Sequence, residues 1–124
     1  MLITEQKDLE AFCAPLKSEK FITVDTEFLR EKTYYAKLCL IQISDGGKNA
    51  AAIDVLAEGI DLEPVYDLFR DEAILKIFHA GRQDLEIFYQ LTGEIPAPIF
   101  DSQIAAMVCG YGEQVGYELS LIHI

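Results

Sequence analysis

Two carboxylates, Asp25 and Glu27, stand two positions apart at the end of an apolar run, Phe21-Ile22-Thr23-Val24. In a strand, a side-chain period of two sends both to the same face, about 7 Å apart along the chain. That separation is too wide for a shared proton and suits groups that bracket cations. A third acid, Asp84, comes after a second apolar run, Ile74 to Phe78, and the turn His79-Ala80-Gly81. At the start of a helix there, a loop-to-helix junction can bring it beside the first pair. Three acids from two elements make a hard-oxygen site for Mg²⁺ or Mn²⁺, ions that keep several waters and take further ligands from a substrate phosphate. Solvated surface acids are the ordinary explanation of a bare D-x-E. Two features weigh against it: the pair closes an apolar strand, and the segment His79 to Phe88 follows it in order.

The elements that must position these groups are legible in outline. Thr4 can cap a helix running to about Leu16, with Leu9, Phe12, Cys13 and Leu16 at helical spacing. Phe21 to Phe28 reads as a strand with Ile22, Val24, Thr26 and Phe28 on one face. After a charged turn at Arg30-Glu31-Lys32, Leu38 to Ser44 is a second strand. Asp45-Gly46-Gly47-Lys48 turns the chain into a third, Ala50 to Val55. Pro64 fits the first turn of a helix to about Arg70, with Asp61 as its cap. Ile74 to Phe78 is a short strand, and a helix from about Arg82 to Leu91 follows, with Leu85, Phe88 and Tyr89 as its apolar stripe. Gly93 ends that helix, Pro96 and Pro98 keep the next short strand extended, and Asp101 caps a last helix to about Cys109. Hairpins followed by β-α alternation predict an α/β fold, a mixed sheet flanked by helices.

With 124 residues, the chain has room for one small domain. Its formal net charge of −11 argues against a passive nucleic-acid binder, because phosphate is bound mainly by Lys and Arg. It leaves a nuclease standing, because a bound cation inverts the local field. Cys13, Cys39 and Cys109 are widely spaced with no C-x-x-C, and His79 and His123 are the two histidines, a poor set for a zinc cage. Free thiols in a reducing compartment are the plainer reading. No apolar leader opens the chain and no stretch is long enough to span a membrane, so a cytoplasmic location is expected.

The stretch FITVDTEFLREKTYYAKLCLIQIS, Phe21 to Ser44, resembles the first motif region of ribonuclease D, within the DEDD exonuclease superfamily. KIFHAGRQDLEIF resembles that family's second motif, and PIFDSQIAAMVCGYGEQVGYE continues the likeness. The resemblance implies an RNase H-like fold and hydrolysis of RNA from its 3′ end with two divalent cations, Mg²⁺ or Mn²⁺. It implies an RNA 3′ end as partner, tRNA precursors and other structured RNAs among them. Asp25, Glu27 and Asp84 match the family's first three metal-binding acids: Asp25 to hold both ions, Glu27 on the nucleophile side, Asp84 on the leaving-group side. Thr26, Phe28, His79 and Arg82 are the candidate substrate contacts. Each also has a plainer role: core packing for Phe28, local hydrogen bonding for His79, and for Arg82 offsetting the charge of Asp84.

The chain departs from the family pattern in one respect. A fourth acid, in Y-x-x-x-D or H-x-x-x-x-D spacing, is expected from a later helix, yet none of the tyrosines is followed by Asp at that distance. His79 and Asp84 have the second spacing, but assigning them to it leaves no second motif after Glu27. The expectation is therefore a partial exonuclease domain over residues 1–118, truncated before the third motif, with residues 119–124 a non-native tail and the fragment itself poorly active. A non-catalytic nucleic-acid- or protein-binding module on the same fold, or a DNA 3′-5′ exonuclease, are the competing readings. Gly110-x-Gly112 has the wrong spacing for a dinucleotide loop.

Overall fold

Alternation along the strands decides which side of the sheet is covered. The computed structural model describes residues 1–30 and 36–108. Its elements in chain order are β1 (Leu2–Ile3), α1 (Gln6–Leu16), β2 (Phe21–Arg30), β3 (Ala36–Ser44), β4 (Ala50–Asp54), α2 (Glu63–Arg70), β5 (Leu75–Phe78), α3 (Arg82–Thr92), β6 (Ile99–Asp101) and α4 (Ser102–Val108). The strands form one mixed sheet in the order β1-β4-β3-β2-β5-β6. β2, β3 and β4 pair antiparallel, while β5 joins β2, β6 joins β5 and β1 joins β4 in parallel. The expected α/β mixed sheet flanked by helices is the fold observed. The turn at 31–32, the glycine loop at 110–116 and the proposed boundary at 118 lie outside the described residues.

One pleat is apolar and buried. Ile22 and Val24 of β2, Ile41 and Ile43 of β3, Ala51 and Ile53 of β4 and Phe78 of β5 share a core with Leu9, Phe12, Cys13 and Leu16 of α1, Val65, Leu68 and Phe69 of α2, and Ile87 and Phe88 of α3. The register places these residues opposite one another: Val24 faces Ile43, Thr26 faces Ile41, and Ile41 faces Ile53. Each buried Val, Leu, Ile or Phe among them contributes about 1.5–3 kcal/mol on leaving water, so this face anchors the helices. The other pleat carries Asp25 and Glu27, opposite Gln42 and Leu40.

The β2–β3 register slips between Glu27 and Phe28, with Cys39 the unmatched residue of β3. A bulge of this kind sharpens local twist and re-aims neighbouring side chains, and it sits directly after the carboxylate pair. The β3–β4 turn is closed by Asp45, whose Oδ1 accepts the N–H groups of Gly47 and Asn49. Gly46 takes the left-handed conformation there (φ 82°), which glycine adopts without strain.

Several boundaries differ from expectation. α1 begins at Gln6 behind Glu5, with no side-chain cap, so Thr4 is not its cap. The backbone cap of α2 is Leu62, although Asp61 Oδ1 still accepts the Glu63 N–H. The buried stripe of α3 is Asp84, Ile87 and Phe88, not Leu85, Phe88 and Tyr89: Leu85 is half-buried and Tyr89 is 56% exposed. This rotation of the helix turns Asp84 inward. The two-residue β1 was not anticipated. Lys76 is fully buried on β5 and donates from Nζ to the carbonyls of Asp71 and Ala97, tying the start of β5 to the segment before β6. No helix among the described residues is long and apolar enough to cross a membrane.

Candidate active site

β2 carries Asp25 and Glu27, and α3 carries Asp84. Asp25 and Glu27 are exposed on the pleat away from the helices. Asp25 Oδ1 accepts the Thr26 N–H at 3.0 Å. Thr26, between them, points to the opposite pleat and is buried, and its hydroxyl donates to Asp84 Oδ1. Asp84 is 6% exposed and sits in the first turn of α3. Burial pushes its carboxyl above the usual carboxylate range, and the charges of Asp25, Asp101 and Glu27 push the same way, against the lowering effect of the Thr26 hydroxyl.

The expected convergence is therefore partial. Asp84 meets β2 through Thr26, on the pleat opposite Asp25 and Glu27. Among the described residues, no three His, Cys, Asp or Glu side chains close around a common point. The donor chemistry nevertheless fits a hard divalent cation. A desolvated carboxylate lies among like charges, and none of the ion pairs among the described residues involves Asp25, Glu27 or Asp84. An open, carboxylate-poor coordination set suits Mg²⁺ or Mn²⁺, which retain water and accept phosphate oxygens.

The secondary candidates divide. Thr26 is committed to Asp84. Phe28 packs against the core, the plainer of its two readings. His79 is half-buried at the end of β5, with Nδ1 3.0 Å from Ser102 Oγ. Arg82 points into solvent, and its ion-pair partner is Glu86 at 3.6 Å, so the idea that it offsets Asp84 is replaced by a helical i,i+4 pair. A cavity of ≈ 530 Å³ opens on the uncovered pleat, with Asp25, Gln42, Ser44, Ile77 and His79 in its lining.

Sequence reasoning treated Asp101 as a simple cap for α4 and did not single out Ser102. The cap is real: Asp101 Oδ1 accepts the Gln103 N–H at 3.0 Å. The same carboxylate also accepts from Ala80 and Gly81, at 3.1 and 2.8 Å, in the turn that precedes α3. That link follows from the parallel β5–β6 register, which sets Phe78 against Asp101; spacing along the chain carries no signal for it.

The sheet is mixed, with the paired acids on its strand β2 and the third acid on the helix that follows β5. The chain belongs to the 3′-5′ exonuclease family, whose model matches residues 1–123. Within that family its likeness is to ribonuclease D. It is 56% identical over 119 residues to the ribonuclease D of Jannaschia sp. (strain CCS1), covering 94% of this chain and 31% of that protein. The crystal structure of Escherichia coli RNase D, an exoribonuclease involved in structured RNA processing, matches with a TM-score of 0.84 and 41% identity, over 92% of this chain and 30% of that one. Brucella melitensis NrnC with bound Mg²⁺ matches with a TM-score of 0.65 and 33% identity, over 73% of this chain and 45% of that one. The chain thus spans under a third of the length of these two ribonuclease D proteins, and the fold is RNase H-like.

Proposed function

We propose that this chain supplies the first three acids of a divalent-metal-dependent 3′-5′ exoribonuclease of the ribonuclease D type. The observation that carries the reading is the buried Asp84 carboxylate, held by Thr26 beside the Asp25–Glu27 pair, with no cationic side chain of the described residues paired to any of them. Asp25 and Glu27 would hold a cation from the open pleat, and Asp84 would act from the helix side through water. When bound, divalent cations there supply the Lewis acidity that in-line phosphodiester hydrolysis requires.

The chain's own groups perform the rest. Thr26 orients the Asp84 carboxylate by donating to it and favours its ionised form against the opposing effect of burial. The cavity beside Asp25 offers Gln42 and Ser44 as hydrogen-bonding groups for the RNA 3′-terminal nucleotide, and His79 borders it. The Mg²⁺-bound relative supports the choice of metal, and the RNA-processing relative supports an RNA substrate.

The test is digestion of a 3′-tailed RNA by the full-length protein with Mn²⁺, using 5′-labelled and internally labelled strands. Stepwise shortening from the 3′ side with release of nucleoside 5′-monophosphates is expected. Internal cuts, or digestion of DNA but not RNA, would contradict it.

A further inference from the structure

The turn that launches α3 is held by a different part of the chain. Each of the four consecutive residues from Phe78 to Gly81 makes a hydrogen bond to Asp101 or Ser102. Phe78 offers its carbonyl to Ser102 Oγ at 3.3 Å, and His79 Nδ1 lies 3.0 Å from the same oxygen. Ala80 and Gly81 give their N–H groups to the two oxygens of Asp101. We propose that Asp101, seconded by Ser102, is a positioning residue for the active site, fixing the turn from which α3 carries Asp84 to Thr26. This rests on the nuclease reading above.

Three features make the shape of this turn matter to Asp84. Ala80 adopts φ 53°, a left-handed conformation that side chains other than glycine rarely take. Gly81 is so tightly seated that a Cβ there would lie 2.5 Å from Phe78 Cβ. Gly81 is also the residue before α3, and its carbonyl accepts the Leu85 N–H at 2.9 Å. Any movement of Gly81 is passed directly to the first helical turn, where Asp84 stands three residues on. A plain cap for α4 would need one acceptor oxygen aimed at its own helix. Asp101 uses both, and the shorter of its bonds to the turn, 2.8 Å, is made by the oxygen that does not cap α4.

A carboxylate is required because every partner is an N–H donor. In Asp101→Asn the amide nitrogen, itself a donor, would have to face either the Gly81 N–H or the Ala80 N–H. The consequence is a displaced Asp84 in a protein whose core is untouched. A displacement near 1 Å at a catalytic group costs on the order of 10²-fold in rate.

The experiment compares the full-length parent, Asp101→Asn, Ser102→Ala and the core control Ile53→Val, each characterised by thermal unfolding. Exonuclease kinetics and calorimetric titration with Mn²⁺ are the readouts. Asp101→Asn is expected to lose kcat on the order of 10²-fold, with KM for RNA within about twofold of the parent and weaker Mn²⁺ uptake. Ser102→Ala should show a smaller loss in the same direction. Ile53→Val should keep parental kcat and Mn²⁺ affinity despite its lower Tm. An active parent whose Asp101→Asn and Ser102→Ala variants match it in kcat and Mn²⁺ affinity would overturn this inference and leave the nuclease reading intact. Should Asp101→Asn not fold, Ser102→Ala decides by the same criterion. A parent that neither takes up Mn²⁺ nor shortens RNA overturns the nuclease reading, and this inference with it.

Discussion

Replacing Thr26 by Val keeps the shape of the side chain and deletes the hydroxyl that donates to Asp84. Because the substitution is isosteric and buried, it opens no cavity, and the loss reads the hydrogen bond itself. A bond to a charged acceptor is worth about 1.5–3 kcal/mol, and a neutral one about 0.5–1.5 kcal/mol. The Asp84 carboxyl has its pKa raised above the ordinary 3.8, chiefly by burial. Its ionisation therefore costs stability: its contribution is most favourable below 3.8 and declines as pH climbs through the raised value. Removing the Thr26 hydroxyl raises that pKa further and deepens the decline. Thr26→Val should then lose about 2 kcal/mol at pH 7 and about 1 kcal/mol where the carboxyl is protonated. In a domain of this size each kcal/mol moves Tm by about 3–6 °C. The assay is thermal unfolding followed by circular dichroism in EDTA, at pH 7 and just below pH 3.8, where the raised carboxyl of the folded protein is protonated. Thr26→Ser, which keeps the hydroxyl and loses a methyl, should fall by about 1 kcal/mol at both. A Thr26→Val deficit that is absent at pH 7, or equal at the two pH values, would mean that the Thr26 hydroxyl does not hold the Asp84 carboxylate.

Further outcomes follow from the same geometry. Gly81→Ala must push a Cβ into Phe78 and should destabilise by about 1–3 kcal/mol, seen as a lower urea midpoint; a parental midpoint would show that the turn has slack. Lys76→Met retains the buried stem and loses two bonds to carbonyls, about 1–3 kcal/mol, whereas Lys76→Ala adds a cavity and should cost about 2–5 kcal/mol. A Lys76→Met midpoint in urea equal to the parent's would contradict the role given to Nζ. Burial pushes the Cys13 thiol up to about 11, which disfavours the reactive thiolate. Iodoacetamide at pH 8 should therefore label the half-buried Cys39 well before Cys13, and equal labelling, read by peptide mass spectrometry, would count against the packed α1 face. Because the folded thiol titrates later than an unfolded one, this site also takes stability away as pH rises from about 9 through about 11.

Much of the fold could be read from the chain because local pattern and tertiary burial agree. Alternation of Ile22, Val24 and Thr26 located β2, and Leu9, Phe12, Cys13 and Leu16 located the buried face of α1. Gly93, at φ 75°, ended α3 where expected. The failures are equally local. Leu85 and Tyr89 are more apolar than Asp84, so a hydrophobic stripe pointed the helix about one residue too far round. With Ile87 and Phe88 in the core, Asp84 faces inward and accepts from the hydroxyl of Thr26, 58 positions away, a partner that periodicity does not record. Lys76 interrupts an apolar strand without exposing itself, because two backbone carbonyls receive its ammonium group. The placement of Asp25 and Glu27 on one pleat was dictated by their spacing. Their relation to Asp84 across the strand, and the anchoring of its turn by Asp101, depend on a parallel register that is fixed by the packed sheet.

If Asp25, Glu27 and Asp84 act together on divalent cations, calorimetric titration of Mn²⁺ into the full-length protein, beside Asp25→Asn, Glu27→Gln and Asp84→Asn, will show it. Saturable uptake by the parent that weakens in all three variants is the predicted result. Absence of uptake by the parent, or an Asp25→Asn variant that takes up Mn²⁺ as the parent does, would contradict it.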